Sequence, residues 1–365
     1  LPNFTKIIHL FTPKELHRYS RHLLLAEVGN EGQSLLKNAS VLLVGAGGLG
    51  CPVLQYLVAA GVGTIGVCDG DVVDETNLQR QVLYGAQDVG KLKVEVAKHK
   101  LSLQNEFITI TAYPTHLNVN NALEIISNYD IIVDCTDNFS SRYLINDACV
   151  IAGKPFVYGA IYKFSGQVSV LNFKGGPTYR CLFPSMPDEG EIPNCSEIGV
   201  LGVLPGLIGT MQANEVLKMI LGLETLSGEL LSIDALSMQQ DVFSFELNPE
   251  NLKISSLKQE NTNCEMVPEI TAEELLTLMD DDIQLVDVRE QKEYDSYNIG
   301  GVLAPLSNFE EHIEKVDESK KTIVVCQSGN RSLKAAATLL EKGFNDVVSL
   351  KGGLISWKAT KMVSE

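Results

Sequence analysis

Two clusters in this chain have the residue types and spacing to do chemistry. The first opens with Gly45-Ala46-Gly47-Gly48-Leu49-Gly50, a run of the form GxGGxG. Between a strand and a helix, Gly45, Gly47, Gly48 and Gly50 let the backbone approach a phosphate, and the helix N-terminus favours its negative charge. Asp69 follows Gly50 by 19 residues, where a carboxylate accepts from a ribose hydroxyl. On that pair alone a nicotinamide, a flavin and ATP remain open. Beyond it come Asp71, Asn77, Arg80 and Lys93, then Asp134-Cys135-Thr136-Asp137-Asn138. When a carboxylate attacks the α-phosphate of ATP and pyrophosphate leaves, charge builds on the phosphate oxygens; fixed cations and magnesium stabilise it. Hydride transfer has no such need, so Arg80, Lys93 and Asp137 around a glycine turn fit adenylation better than redox work. Taken singly, each has a plainer reading: Lys93 as a solvated helix residue, Asp71 and Asp74 as turn formers, Arg18 as half of a surface ion pair.

The second cluster is Cys326-Gln327-Ser328-Gly329-Asn330-Arg331, in which four residues separate the thiol from the arginine. A strand, Thr322 to Val325, runs into it and a helix, Ser332 to Lys342, follows. The loop's N–H groups are therefore expected to point inward around the sulfur. A cysteine at a helix N-terminus beside an arginine has its thiolate favoured, which suits a nucleophile and a persulfide carrier.

The elements that must hold these residues read as alternating strands and helices, the pattern of a mostly parallel sheet covered by helices. Strands are expected at Val41 to Val44, Thr64 to Cys68, Ile108 to Ala112 and Ile131 to Asp134. Helices are expected at Pro52 to Ala60, Lys91 to Leu103, Ala122 to Ser127 and Leu207 to Leu221. The chemistry should gather where the strands end, since doubly wound sheets open their crevice there. Leu247 to Pro268 turns polar and loses period, and a second αβ series starts at Thr271, with a strand at Gln284 to Val286 ahead of Asp287-Val288-Arg289. The chain of 365 residues thus divides into an adenylating domain over 1–248, a linker over 249–268 and a smaller domain over 269–365.

Composition narrows the class further. With 45% hydrophobic and 21% charged residues, the chain has apolar side chains enough for sizeable cores. Its formal charge of −17, from 46 acidic and 29 basic residues, argues against nucleic acid as the main partner. The longest apolar stretch, Ile198 to Gly209, is broken by four glycines and Pro205 and is too short to cross a membrane. Leu1 to Phe11 lacks the pattern of a secretory signal, and eight scattered cysteines do not make a disulfide scaffold, so a cytoplasmic protein with free thiols is expected.

Together with Arg18-Tyr19-Ser20-Arg21, the segments Asn77-Leu78-Gln79-Arg80-Gln81, Gly90-Lys91-Leu92-Lys93 and Asp134 to Asn138 resemble the ThiF/MoeB/HesA-type adenylyltransferases, relatives of ubiquitin-activating enzymes. The resemblance runs from about Arg18 to about Asp241 and implies a Rossmann-like, doubly wound mixed sheet. It implies that Asp69 holds the ribose, that Asn77, Arg80 and Lys93 hold the phosphates with Asp71 nearby, and that Asp137 holds a magnesium ion. It also implies a homodimer in which Arg21 reaches the neighbouring subunit's site. The loop from Cys326 to Arg331, with Gly352-Gly353-Leu354 and Trp357, is similar to rhodanese sulfurtransferases; cysteine phosphatases use a wider ring. Asn298 stands where a histidine is common. The fusion resembles the molybdopterin-synthase adenylyltransferase/sulfurtransferase type. That resemblance implies a ubiquitin-like sulfur-carrier protein ending in Gly-Gly as partner, ATP and Mg²⁺ as cofactors, and a persulfide donor such as a cysteine desulfurase. An oxidoreductase fused to a rhodanese module and a non-catalytic scaffold that docks carriers are the rival classes.

The remaining cysteines divide by surroundings. Cys51, Cys68, Cys135 and Cys149 fall among apolar residues and are expected to be buried. Cys195 lies in the polar loop Pro193-Asn194-Cys195-Ser196-Glu197, at the position where the resembling family has a cysteine that bonds transiently to the carrier or its sulfur. Many relatives bind a structural zinc through two CxxC pairs. Here the first reads Thr178-Tyr179-Arg180-Cys181, and Cys264 is the remaining candidate for the second. Tetrahedral zinc normally takes four nitrogen or sulfur ligands, so no structural zinc is expected, and Cys181 and Cys264 are a candidate pair for a disulfide on oxidation.

Overall fold

Val41 to Val44 is an unbroken apolar run, the mark of a strand buried on both faces. In the computed structural model, which describes residues 11–186, 199–257, 267–279 and 282–364, this run forms the middle of a sheet. Val41 and Leu43 enter one apolar core and Leu42 and Val44 another, as the two-residue period of a strand requires.

The first compact unit spans 1–188 and 192–258. Three short helices, α1 (Pro13–Arg18), α2 (Ser20–Leu23) and α3 (Gly29–Asn38), lead into β1 (Ser40–Val44). There follow α4 (Gly50–Ala60), β2 (Thr64–Cys68), α5 (Lys93–Gln104), β3 (Thr109–Tyr113), α6 (Ala122–Ser127), β4 (Ile131–Asp134), α7 (Phe139–Ala152) and β5 (Phe156–Tyr162). The unit continues through β6 (Ser165–Leu171), α8 (Tyr179–Leu182), α9 (Val203–Leu221), β7 (Glu229–Asp234) and β8 (Gln239–Ser244). The sheet order is β3-β2-β1-β4-β5-β6-β7-β8. Strands β3 to β5 run parallel, while β6, β7 and β8 each pair antiparallel with the preceding strand, giving the doubly wound mixed sheet. Strand order reverses between β1 and β4, which is where such a sheet opens its ligand crevice.

The other unit includes 259–365. Its elements are β9 (Glu269–Ile270), α10 (Ala272–Leu278), β10 (Ile283–Asp287), α11 (Gln291–Ser296), β11 (Val302–Leu303), β12 (Lys321–Val325), α12 (Asn330–Glu341), β13 (Val347–Leu350) and α13 (Gly353–Ser364). Its five strands, ordered β11-β10-β12-β13-β9, are all parallel. Val286 and Val324 point into one core, Leu285, Ile323 and Val325 into the other.

Element boundaries differ from the sequence reading in informative places. Helix α9 starts at Val203 rather than Leu207, with Pro205 inside its first turn. Proline is tolerated there because the N–H groups of the first turn have no intrahelical partner. Helix α12 starts at Asn330, within the sulfur loop itself, instead of at Ser332. Among the described residues, no helix is long and apolar enough to cross a membrane.

Candidate active sites

The glycine turn is shaped from below by its own backbone. Gly45 has φ +96°, a left-handed conformation, and a side chain there would meet the Cys135 carbonyl oxygen at 2.7 Å. A Cβ on Gly50, at the start of α4, would lie 2.2 Å from the Gly45 carbonyl oxygen. Gly47 differs: the nearest atom to an added Cβ is Gln81 Nε2, at 3.5 Å, so the protein leaves room there on the crevice side. Asp69, at the end of β2, accepts the Ala46 N–H at 2.7 Å and the Asp71 N–H at 2.8 Å. One carboxylate thus fixes both the glycine turn and the start of the next loop.

On the far side, β4 ends in a turn built on Asp134. Its fully buried carboxyl accepts the Thr136 N–H at 3.0 Å and the Thr136 hydroxyl at 2.7 Å. Burial raises its pKa, against the opposing pull of Arg142 and the Thr136 hydrogen bonds. Gln212, from the middle of α9, donates to the Asp134 carbonyl at 2.7 Å. Asn138 then caps α7, accepting the Ser141 N–H at 2.9 Å, and the turn leaves Asp137 exposed at the crevice.

The crevice measures about 410 Å³ and is lined by Gly45, Gly47 and Gly48, by Asp69 and Asp71, and by Asn77, Arg80, Lys93 and Asp137. Lys93 is 5% exposed and its Nζ lies 2.7 Å from Asp71 Oδ2, so this cation is held in place rather than solvated. Arg80 donates through Nη2 to Asn77 Oδ1 at 3.1 Å and through Nη1 to the Thr76 carbonyl at 3.3 Å. Two predicted residues are not among the lining: Gly50 packs beneath the turn, and Arg21 sits exposed on α2. Cys195 lies outside the described residues. His116 and Gln81, to which the sequence reading gave no role, do line the crevice.

In the second unit the expected cradle is present. Cys326 Sγ accepts the N–H groups of Gly329 at 3.2 Å and Ser332 at 3.3 Å. The Ser332 hydroxyl lies 3.5 Å from the sulfur and 2.9 Å from the Ser349 hydroxyl, so the floor of the loop is polar and buried. The glycine pair clamps the loop from behind: a side chain on Gly353 would meet the Cys326 carbonyl oxygen at 2.5 Å, and that oxygen accepts the Leu354 N–H at 2.9 Å. Arg331, expected beside the thiol, forms a two-pronged ion pair with Glu293, at 2.7 and 2.8 Å. The arginine's hydrogen bonds, outweighing partial burial, lower the Glu293 pKa. The capping pattern Glu290 to Glu293 was readable in the chain, but its reach across 38 residues to Arg331 was not.

Cys51, Cys68, Cys135 and Cys149 are buried, and burial pushes the thiols of Cys51 and Cys68 up to about 12. Cys181 behaves differently. Its sulfur is approached by the Thr178 N–H and hydroxyl, both at 3.4 Å, and by the Asn248 N–H and Asn251 Nδ2, both at 3.3 Å. Burial raises its pKa, but these hydrogen bonds outweigh it and leave the thiol below its ordinary value. The segment facing Thr178 and Cys181 is thus Asn248-Pro249-Glu250-Asn251; Cys264, the sequence candidate, lies outside the described residues. Two facing pairs of the same spacing hold one sulfur among Thr and Asn side chains, a poor donor set for zinc.

Two family models match separate stretches of the chain. The ThiF family model matches residues 19–256 and the Rhodanese-like domain model matches residues 271–360. The chain belongs to the ThiF family and carries a C-terminal rhodanese-like domain. It is 41% identical to the probable adenylyltransferase/sulfurtransferase MoeZ of Mycobacterium tuberculosis, over 98% of this chain and 96% of that protein. It is 52% identical to a sulfur carrier protein adenylyltransferase of Thermus thermophilus, over 66% of this chain and 90% of that protein. Among solved structures, E. coli MccB with ATP superposes with a TM-score of 0.57 at 25% identity, over 65% of this chain and 74% of that one.

Proposed function

We propose that this chain activates the C-terminal carboxylate of a ubiquitin-like sulfur-carrier protein as its acyl-adenylate and then converts it to a thiocarboxylate. The observation that carries the first step is the gathering of Arg80, Lys93 and Asp137, from three separate segments, around the glycine turn. MoeZ, as a named adenylyltransferase/sulfurtransferase matched along nearly its whole length, supports both steps.

In this reading Asp69 accepts from the ribose, and Arg80, Lys93 and Asn77 face the phosphates. A carrier's flexible Gly-Gly tail enters beside Asp137. Its carboxylate attacks the α-phosphorus, the bond to pyrophosphate breaks, and Arg80 and Lys93 stabilise the charge that builds. Asp137 together with substrate phosphates would hold a magnesium ion, which would supply further charge neutralisation; one carboxylate plus phosphates is a normal donor set for it. The terminal sulfur of a Cys326 persulfide next attacks the acyl carbon and AMP leaves, giving an acyl disulfide to Cys326. A second thiol, for which Cys195 is the candidate, attacks the Cys326 sulfur, freeing the thiocarboxylate and leaving a Cys195–Cys326 disulfide that an external thiol reduces.

The two domains work in turn within a cytoplasmic homodimer; of the linker expected over 249–268, residues 249–257 belong to the first unit, where Asn251 contacts Cys181. Arg21, exposed on α2 and absent from its own chain's crevice, is available to a partner copy's site. A cysteine desulfurase is the proposed persulfide source, with molybdopterin or thiamine synthesis downstream.

The test is exchange of labelled pyrophosphate into ATP with each ubiquitin-like carrier of the same genome. Exchange is expected with a carrier ending in Gly-Gly and lost when the last glycine is deleted; no exchange with any carrier, together with NADH binding, would favour an oxidoreductase. Metal analysis of the purified protein is expected to find no stoichiometric zinc. The triple variant Thr178→Cys, Asn248→Cys, Asn251→Cys should gain one zinc per chain, and zinc bound equally by the parent chain would refute the metal-free reading of the Cys181 joint.

A further inference from the structure

We infer that Gln81 is a positioning residue for phosphate binding, acting through Asn77; the inference rests on the adenylation reading above. Gln81 is 4% exposed and lines the crevice, with its Nε2 3.5 Å from where a Cβ on Gly47 would lie. Its Nε2 donates to Asn77 Oδ1 at 2.9 Å, and Arg80 Nη2 donates to the same oxygen at 3.1 Å. Two donors saturate that oxygen, which fixes the orientation of the Asn77 amide. Turned over, Asn77 would set its own NH₂ against two donors. The side-chain group left for Asn77 to offer a ligand is Nδ2, whose contact among the described residues, to Thr76 Oγ1, is long at 3.4 Å.

The same oxygen anchors the Arg80 guanidinium. Gln81 thereby aims two donors, one neutral and one charged, at the place where phosphate oxygens would lie. Gln81 itself is oriented by this contact, and its Oε1 is left buried with no hydrogen-bond partner among the described residues. A buried acceptor without a donor is disfavoured, and an apolar side chain of the same volume would avoid that cost. Glutamine gains from being there only through what its Nε2 holds.

A double-mutant cycle reads this directly, with ATP–pyrophosphate exchange as the assay and calorimetric ATP affinity beside it. Gln81→Met keeps the volume and removes the donor. It should lower kcat/KM for ATP about tenfold in the native background. In an Asn77→Ala background the same change should cost less than about twofold, because the oxygen it acts through is gone. Equal losses in both backgrounds, or Gln81→Met within about twofold of the native chain, would overturn the inference. Should the native chain neither exchange nor bind ATP, the adenylation reading fails and takes the Gln81 role with it. Native exchange with an additive cycle removes the Gln81 role alone.

Discussion

Cys326→Ala should leave carrier-dependent ATP–pyrophosphate exchange within about twofold of the native chain while abolishing thiocarboxylate formation. Exchange needs only the crevice at the ends of β1 and β4, every lining residue of which lies between Val44 and Val200. In the proposed mechanism sulfur delivery runs through the Cys326 sulfur, on which the Gly329 and Ser332 N–H groups converge. Alanine keeps the Cβ and the backbone of the loop, whose base is gripped by Leu354 and by the close approach of Gly353, so the unit should still fold. The readout is intact-mass spectrometry of the carrier after incubation with ATP and a persulfide donor. Sulfur gain at the native rate would mean that the thiol is a bystander and that sulfur reaches the adenylate by another route.

The largest loss in the first half-reaction is expected at Asp137. Asp137→Ala should reduce exchange by about a hundredfold or more, the scale of removing a group that stabilises charge in the transition state. Stability should change by less than about 0.5 kcal/mol, as is usual for an exposed position away from structural features. The division of labour in the turn explains this: buried Asp134 holds the turn through Thr136, and Asp137 is presented by it. Thermal melting of the variant separates the two effects. A folded Asp137→Ala protein that exchanges normally would remove Asp137 from the chemistry.

Much of this was readable from the chain because it depends on local pattern. An apolar strand, a glycine turn and a helix follow one another over Val41 to Ala60, and the sheet then puts Asp69 and Asp134 at the ends of the two strands that flank β1. The sulfur loop was equally plain, since Cys326 and Arg331 lie within one strand-to-helix step. What escaped depends on contacts between distant segments. Glu293 has an ordinary helix-start pattern, and nothing in it announces the ion pair with Arg331. Gln81 sat inside a quoted motif, yet only the shared Asn77 oxygen gives it a job. The partner of Cys181 was sought among cysteines, whereas Asn248 and Asn251 face it with N–H groups, which no metal-ligand pattern would single out. Helix α9 begins four residues ahead of the expected Leu207 and takes Pro205 into its first turn, where the missing N–H costs nothing.

The joint around Cys181 decides which insult the first unit withstands. Where a metal ion ties two such segments together, a chelator can unfasten them and an oxidant must first strip the ion's ligands. Here EDTA is expected to leave the joint intact, because the fastening rests on one sulfur in contact with Thr178, Asn248 and Asn251. Adding oxygen atoms to that sulfur should crowd its neighbours and loosen the segment from Asn248 to Asn251 from α8, so oxidation, more than chelation, is expected to weaken this joint.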